Sequence, residues 1–330
     1  MSRLILQDNI RASAVCKSWL QSAVSVRVVD LPPRLLHVPK TGDKYEILDP
    51  SDLRKQIFEL PELNDCLVRY SNDGWLLMQN PSSDSLFFFN PFTRNLINLP
   101  TLENTPFTIA FSSAPTSGNC WLFTVSNLEI THVKISTLHV GKASEWTTET
   151  FESDLPFNFQ SYNQIMFCKD RFYCLSRIDW IAAFDPLARS WDVLKVPSPG
   201  CPYYHFNTDE GWQKFMTEHE GEIFVIYSRD DLERPIVFRL DIARTHWRNE
   251  DELEGLTIFT SSLSSKTRFN LADMFKGKVC STKGRFFRVD CDQCSNIDGV
   301  EGHGLCNECR EQWPRRFIWI DPPREFRDMI

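Results

Sequence analysis

The chain has 330 residues, 42% hydrophobic and 13% aromatic, which supplies a buried core and excludes a disordered polymer. A formal charge of -8 and an isoelectric point near 5.5 leave nucleic-acid binding without electrostatic support. Eleven cysteines, an odd number, sit mostly alone in apolar stretches such as those of Cys168 and Cys174, which fits a reducing compartment, cytoplasm or nucleus.

The first 24 residues stand apart from the rest of the chain. Arg3, Asp8, Arg11, Lys17 and Arg27 interrupt any secretory apolar core. Asp8 is positioned as an N-cap, and Asn9–Val24 lacks Gly and Pro, which predicts a helix. Ile10, Ala14, Val15, Cys16, Trp19, Leu20 and Ala23 form an apolar stripe with i, i+4 pairs Val15/Trp19 and Cys16/Leu20. Such a stripe is buried either on the rest of the chain or on a partner. Residues 30–46 hold three prolines and no period, and are expected to be a linker.

From residue 47 one phrase recurs. Its clearest copy is Leu86–Leu99, LFFFNPFTRNLINL: an apolar run, a turn at Asn90-Pro91, Arg94, and a new strand opening on Leu96. It returns as Trp180–Leu194 (Asp185-Pro186, Arg189, Trp191) and as Ile236–Arg248 (Asp241, Arg244, Trp247). The large apolar residue falls six positions after the turn Asn or Asp each time, so Leu96 and Trp191 are expected at equivalent, largely buried places in their blades. Looser copies are expected at Ile47–Leu60 and Phe317–Phe326. Asn or Asp bonds its own backbone at such a turn, and Pro presets φ for the next residue. Each clear copy is preceded by a second hairpin signal, at Asn72-Asp73-Gly74, Lys169-Asp170 and Glu220-Gly221, so a unit contains three or four antiparallel strands.

The turn positions 49, 90, 185, 241 and 321 lie 41, 95, 56 and 80 residues apart, one or two periods of about 40–50. This spacing predicts a mainly β chain, a kelch-like β-propeller of about six blades, with five or seven as alternatives. A β-sandwich with Asp-Pro turns is the other architecture of such a chain. Glu103–Glu129 is uncharged between its ends, but Pro106, Pro115 and Gly118 divide it into two strands and no membrane span. A blade lacking the phrase is expected over Cys120–Thr150, where Gly141…Trp146 imitates the turn. Leu256–Leu271 is expected to be a strand pair with an exposed Ser/Thr loop.

The last unit is longer. Hairpin turn and following Asp or Asn are 16, 15 and 20 positions apart in the earlier units, but Gly284 to Asp321 is 37. About twenty residues are therefore expected to be inserted between two strands of one blade, a Cys-rich loop at 290–312. It carries Cys291, Cys294, Cys306 and Cys309 as two C-x2-C pairs eleven residues apart, with His303 as a spare ligand. Four thiolates suit a closed, structural Zn2+ site. Unligated cysteines or a redox pair are the alternatives. No other cofactor is implied.

Catalytic patterns are missing from the sequence: it has no Gly-rich phosphate loop, GxSxG or HExxH. The seven histidines are scattered, and Asp230-Asp231 and Glu250-Asp251-Glu252 read as solvated loops. A non-enzyme is expected, with a propeller hydrolase as the catalytic alternative.

Leu6, Asp8, Arg11, Val15-Cys16-Lys17-Ser18-Trp19 and Ala23 resemble the C-terminal half of a plant F-box. The phrases at Asn90 and Asp185 resemble those of the propeller that accompanies such F-boxes, the DUF295 or KIB1-4 type. The resemblance divides the chain into a partial F-box at 1–29, a linker at 30–46 and a propeller at 47–330. It implies a substrate-recognition subunit of an SCF-type ubiquitin ligase. Leu6, Ile10, Val15, Cys16 and Trp19 would face a Skp1-type adaptor, and the propeller would face an unknown protein target. The first F-box helix, with its Leu-Pro opening, would precede Leu4. Its lack implies either weakened or lost adaptor binding, leaving a propeller interaction module, or a biological start site further upstream.

Overall fold

The computed structural model describes residues 31–39, 42–51, 53–103, 105–106, 108–129, 131–153, 165–176, 180–194, 196, 212–229, 235–241, 246–272, 274–282, 285–288, 294–296 and 317–321; at 212, 229, 285–288 and 294–296 only the backbone is described. These residues form strands and two 3-10 turns, and no α-helix is found among them. The helix expected over Asn9–Val24 lies outside the described residues.

In chain order the strands are β1 (Arg34–His37), β2 (Lys44–Leu48), β3 (Lys55–Glu59), β4 (Leu67–Asn72), β5 (Trp75–Asn80), β6 (Ser85–Phe89), β7 (Leu96–Asn98) and β8 (Ile109–Phe111). There follow β9 (Trp121–Glu129), β10 (His132–His139), β11 (Thr147–Glu152), β12 (Ile165–Cys168), β13 (Arg171–Leu175), β14 (Ile181–Asp185) and β15 (Ser190–Leu194). Next come β16 (Trp212–His219), β17 (Glu222–Arg229), β18 (Ile236–Asp241), β19 (His246–Asn249), β20 (Leu256–Thr260) and β21 (Lys266–Phe269). The last four are β22 (Lys278–Ser281), β23 (Arg285–Arg288), β24 (Cys294–Asn296) and β25 (Phe317–Ile320).

They make six sheets, the blades of a propeller. Blades two to five are four-stranded meanders, β4–β7, β8–β11, β12–β15 and β16–β19. Blade one is closed by both ends of the described chain, in the order β25-β1-β2-β3, with Leu35 opposite Trp319 and Leu36 opposite Ile318. Blade six has the order β21-β20-β22-β23-β24, with β20 and β22 parallel. The strands β25, β4, β8, β12, β16 and β21 are innermost, each beside the next around the ring.

Burial explains the apolar runs. In β6, Leu86 and Phe88 face blade three, while Phe87 and Phe89 face blade one. The strand is covered on both sides, so alternation gives way to a continuous run. In β14 the same split sends Ala182 and Phe184 to one neighbour and Ile181 and Ala183 to the other. Phe88 meets Phe111 edge-on at 4.9 Å, and Phe123 stacks on Phe172 at 4.8 Å. Apolar clusters of this kind fill every blade-to-blade junction of the ring.

The recurring turns are equivalent. Asn90 Oδ1 accepts from the backbone N–H groups of Phe92 (3.0 Å) and Thr93 (3.1 Å), and Asp185 Oδ1 from those of Leu187 and Ala188, both 2.9 Å. The residue four positions on is left-handed in three blades: Arg94 (φ 59°), Arg189 (φ 51°) and, at the looser opening copy, Leu53 (φ 60°). Both arginines reach the outer strand of the preceding blade. Arg189 pairs with Glu149 on β11 at 2.7 Å, and Arg94 donates to the Glu59 carbonyl at 2.5 Å.

Five expectations need correction. Residues 30–46 are not all linker, because β1 lies within them and belongs to blade one. The closing copy at Phe317–Phe326 does not begin on the third strand of a blade, as the other copies do, because β25 pairs with β1 as an innermost strand; its residues after Asp321 lie outside the described ones. For the same reason the extra residues after Gly284 do not separate two strands of one blade. They lead from the outer edge of blade six to the inner strand of blade one, and part of them is itself β24. The loop between β20 and β21 is not exposed, since Ser261 and Ser264 are buried. Finally, Leu96 and Trp191 hold equivalent positions, opposite Phe89 and Phe184, yet Leu96 is 43% exposed and Trp191 8%. The turn sets the position, but cover comes from the neighbouring blade. Phe151 of β11 joins the cluster around Trp191, whereas β3 beside Leu96 is largely exposed.

Candidate functional site

In a four-stranded meander the first and third turns lie at one end of the sheet and the second turn at the other. One end of the ring therefore carries the tight turns at 73–74, 169–170 and 220–221 and the Asx turns after Asn90 and Asp185. The connections from blade three to four and from four to five, the long ones at 153–164 and 195–211, leave β11 and β15 and enter β12 and β16 at the other end.

At the tight-turn end β21 ties together three inner strands. The buried Lys266 Nζ donates to the Ser71 carbonyl at 3.0 Å and to Asn72 Oδ1 at 3.1 Å, both on β4. Thr267 Oγ1 donates to the Glu218 carbonyl on β16 at 2.8 Å. Arg268 pairs with Asp321, just past β25, and also donates to the Leu31 carbonyl at 3.2 Å. Asp321 lies 3.9 Å from Lys266 as well. Ser71 Oγ in turn donates to the Trp319 carbonyl at 3.2 Å. Burial holds the Lys266 pKa below 10.5, against the pull of Asp321 and Asp73. This amine is satisfied by protein acceptors, so it anchors the ring's mouth and is no free nucleophile. Sequence reading missed the cluster, although Lys266 and Arg268 are two positions apart and share a strand face, a detectable signal.

Among the described residues the histidines do not converge. His37 stacks on Phe317 (4.6 Å), His139 on Trp121 (4.2 Å) and His219 on Phe269 (5.9 Å), in three different blade regions. Glu250 pairs with Arg239 at 2.8 Å. Among the described residues no group of three His, Cys, Asp or Glu is placed to hold a metal, and no helix is long and apolar enough to cross a membrane. The adaptor-facing candidates Leu6, Ile10, Val15, Cys16 and Trp19 lie outside the described residues, as do Cys291, Cys306, Cys309 and His303. Cys294 opens β24, with its backbone opposite Phe287.

The described cysteines 66, 120, 168, 174 and 280 are buried free thiols. Burial pushes Cys120 up to about 12 and Cys168 to about 11, and Cys174 and Cys280 well above the usual 9.0. Folded pKa values above the unfolded ones give stability that is complete below about pH 9 and is lost as pH climbs through the folded values. Tyr45 and Tyr70, also raised by burial, add a loss of the same sign above pH 10. Lys266 acts oppositely, gaining stability towards pH 10.5, but it is one group against six. Denaturant titrations should therefore give a stability that falls steeply between about pH 9 and 12. A value constant across that range would mean that these thiols are not buried.

A family profile described as KIB1-4 beta-propeller matches residues 47–286, which include blades two to five complete. The chain belongs to the KIB1-4 β-propeller family. It is also similar over its whole length to F-box proteins of a plant. F-box protein At3g56470 of Arabidopsis thaliana is 41% identical over 335 residues, covering 100% of this chain and 87% of the relative. F-box/kelch-repeat protein At1g57790 of the same plant is 38% identical over 343 residues, covering 100% and 93%. F-box protein At4g00893, also of A. thaliana, is 36% identical over 336 residues, covering 99% and 85%. The chain is thus a plant F-box protein with a KIB1-4-type propeller.

Proposed function

We propose that this KIB1-4 propeller chain is the substrate-recognition subunit of an SCF-type ubiquitin ligase and acts by binding, without chemistry of its own. The observation that carries the reading is similarity to F-box proteins across all of the chain, residues 1–29 included, joined to a six-bladed propeller. Segment 1–29 serves as the F-box portion, with Leu6, Ile10, Val15, Cys16 and Trp19 against a Skp1-type adaptor. The propeller holds a protein target. Its recognition end is the one with the long connections, since β21 and its ion pairs occupy the other mouth and tight turns offer little reach. Buried free thiols suit work in the cytoplasm or nucleus.

Co-precipitation with a purified Skp1-type adaptor tests this. The wild-type chain should capture the adaptor. Trp19→Ala should weaken capture by at least about thirtyfold, the loss expected of a buried aromatic anchor at an interface. The melting curve of the propeller should stay in place. A wild-type chain that captures no adaptor overturns the reading. Normal capture by Trp19→Ala removes Trp19 from the interface.

A further inference from the structure

Nine of the eleven cysteines fall into two groups. Cys66, Cys120, Cys168, Cys174 and Cys280 are buried singly, with no partner thiol among the described residues to form a disulfide or a metal group. Cys291, Cys294, Cys306 and Cys309 instead come as two C-x2-C pairs in a polar, Gly-containing stretch, where Asp292, Gln293, Asn307 and Glu308 fill the spaces within the pairs. A thiol kept only for packing would be set among apolar neighbours, as the first five are.

Topology adds a second observation. Phe286 is paired with Ser295 and Phe287 with Cys294, so β23 and β24 form a hairpin at the outer edge of blade six. Cys291 belongs to the connection before β24 and Cys294 is the first residue of the strand. A C-x2-C spacing is one that lets two thiolates share a single metal ion. The second pair follows after eleven residues, on the way back to β25.

We propose that Cys291, Cys294, Cys306 and Cys309 bind one Zn2+ as a structural site. Each ligand is a thiolate, so assembly releases the thiol protons and changes no oxidation state. Four protein ligands fill the tetrahedron and leave no position for a substrate. The metal staples a stretch with few apolar residues of its own to the edge of blade six. It also serves ring closure: the connection from β24 to β25 is residues 297–316, and with Cys309 fixed only 310–316 remain free. By loop-closure scaling, shortening the free connection this far raises the effective concentration of β25 at blade one about fivefold. The proposal does not depend on adaptor binding.

Metal analysis of the purified full-length chain, prepared under reducing conditions with zinc supplied, decides it. The expected result is one zinc per chain, with four fewer thiols reactive before chelation than after. The variant Cys306→Ser/Cys309→Ser should lose the metal, whereas Cys66→Ser should keep it. Cobalt in place of zinc should show a thiolate-to-metal charge-transfer band, absent from the double variant. A chelator should lower the melting temperature of the wild type and leave that of the double variant unchanged. No stoichiometric zinc with all four thiols free, disulfides in their place, or zinc retained by the double variant each overturns the proposal.

Discussion

Trp319→Ala should cost about 3–5 kcal/mol or more, at the upper end of what a single core truncation removes. Trp319 is fully buried on β25, where it meets Phe259 edge-on at 5.0 Å and shares a cluster with Leu35, Leu271, Phe275 and Cys280. That cluster joins blades six and one, the junction at which the ring closes. The indole Nε1–H donates to the Thr260 carbonyl at 3.1 Å, so truncation leaves both a cavity and a buried acceptor without its donor. Trp247 gives a control of the same residue type. It is 6% exposed between blades four and five, but its Nε1 has no hydrogen-bond partner among the described residues, so Trp247→Ala should cost less. Trp319→Phe should retain most of the packing and lose about 1–2 kcal/mol through the missing bond. Equilibrium denaturation of the three variants checks the order. A Trp319→Ala protein as stable as Trp247→Ala would mean that β25 does not hold the ring shut.

The sequence shows what is local and hides what is closed over distance. The Asx turns after Asn90 and Asp185 were legible because one side chain and its next few N–H groups make them. The four-residue apolar run of β6 was legible as a strand, though only the structure shows that each of its faces belongs to a different neighbouring blade. Leu96 shows the limit of the repeat: its position follows from the turn, and its exposure from the bareness of β3. FIWIDPP reads as one more copy because it has the letters of the turn. Its role comes from pairing with β1, nearly 300 residues earlier, and no local pattern encodes that. The same holds for β21. Two cations on one strand face could have been noticed, but their partners on β4 and just past β25 are brought together only by closing the ring. Of the candidate interface, the F-box portion rests on family resemblance and the four clustered cysteines on the arithmetic of their spacing alone, because both lie largely outside the described residues.

Lys266→Ala should lower stability by about 3 kcal/mol, the low end for breaking a buried ionic cluster. Two acceptors on β4, the Ser71 carbonyl and Asn72 Oδ1, lose their Lys266 donor, and a cavity takes the place of the stem. Asp321 limits the damage because Arg268 still pairs with it. Lys266→Met separates the contributions, since it restores the volume and removes the charge. Lys266 is 7% exposed, and its pKa is held down chiefly by desolvation, so the ammonium is disfavoured at this place despite Asp321. Met should then recover more than half of what Ala loses. The pH dependence gives an independent check. The unfolded chain holds its Lys266 proton up to about pH 10.5, while the folded chain releases it sooner. The unfolded state binds more protons in that interval, so wild-type stability should rise relative to Lys266→Met as pH approaches 10.5. Comparing the two proteins cancels the opposing thiol and tyrosine effects, which they share. If Met proves as damaging as Ala and the difference is flat with pH, the hydrogen bonds to β4 outweigh desolvation, and Lys266 is a net stabilising cation at the ring's mouth.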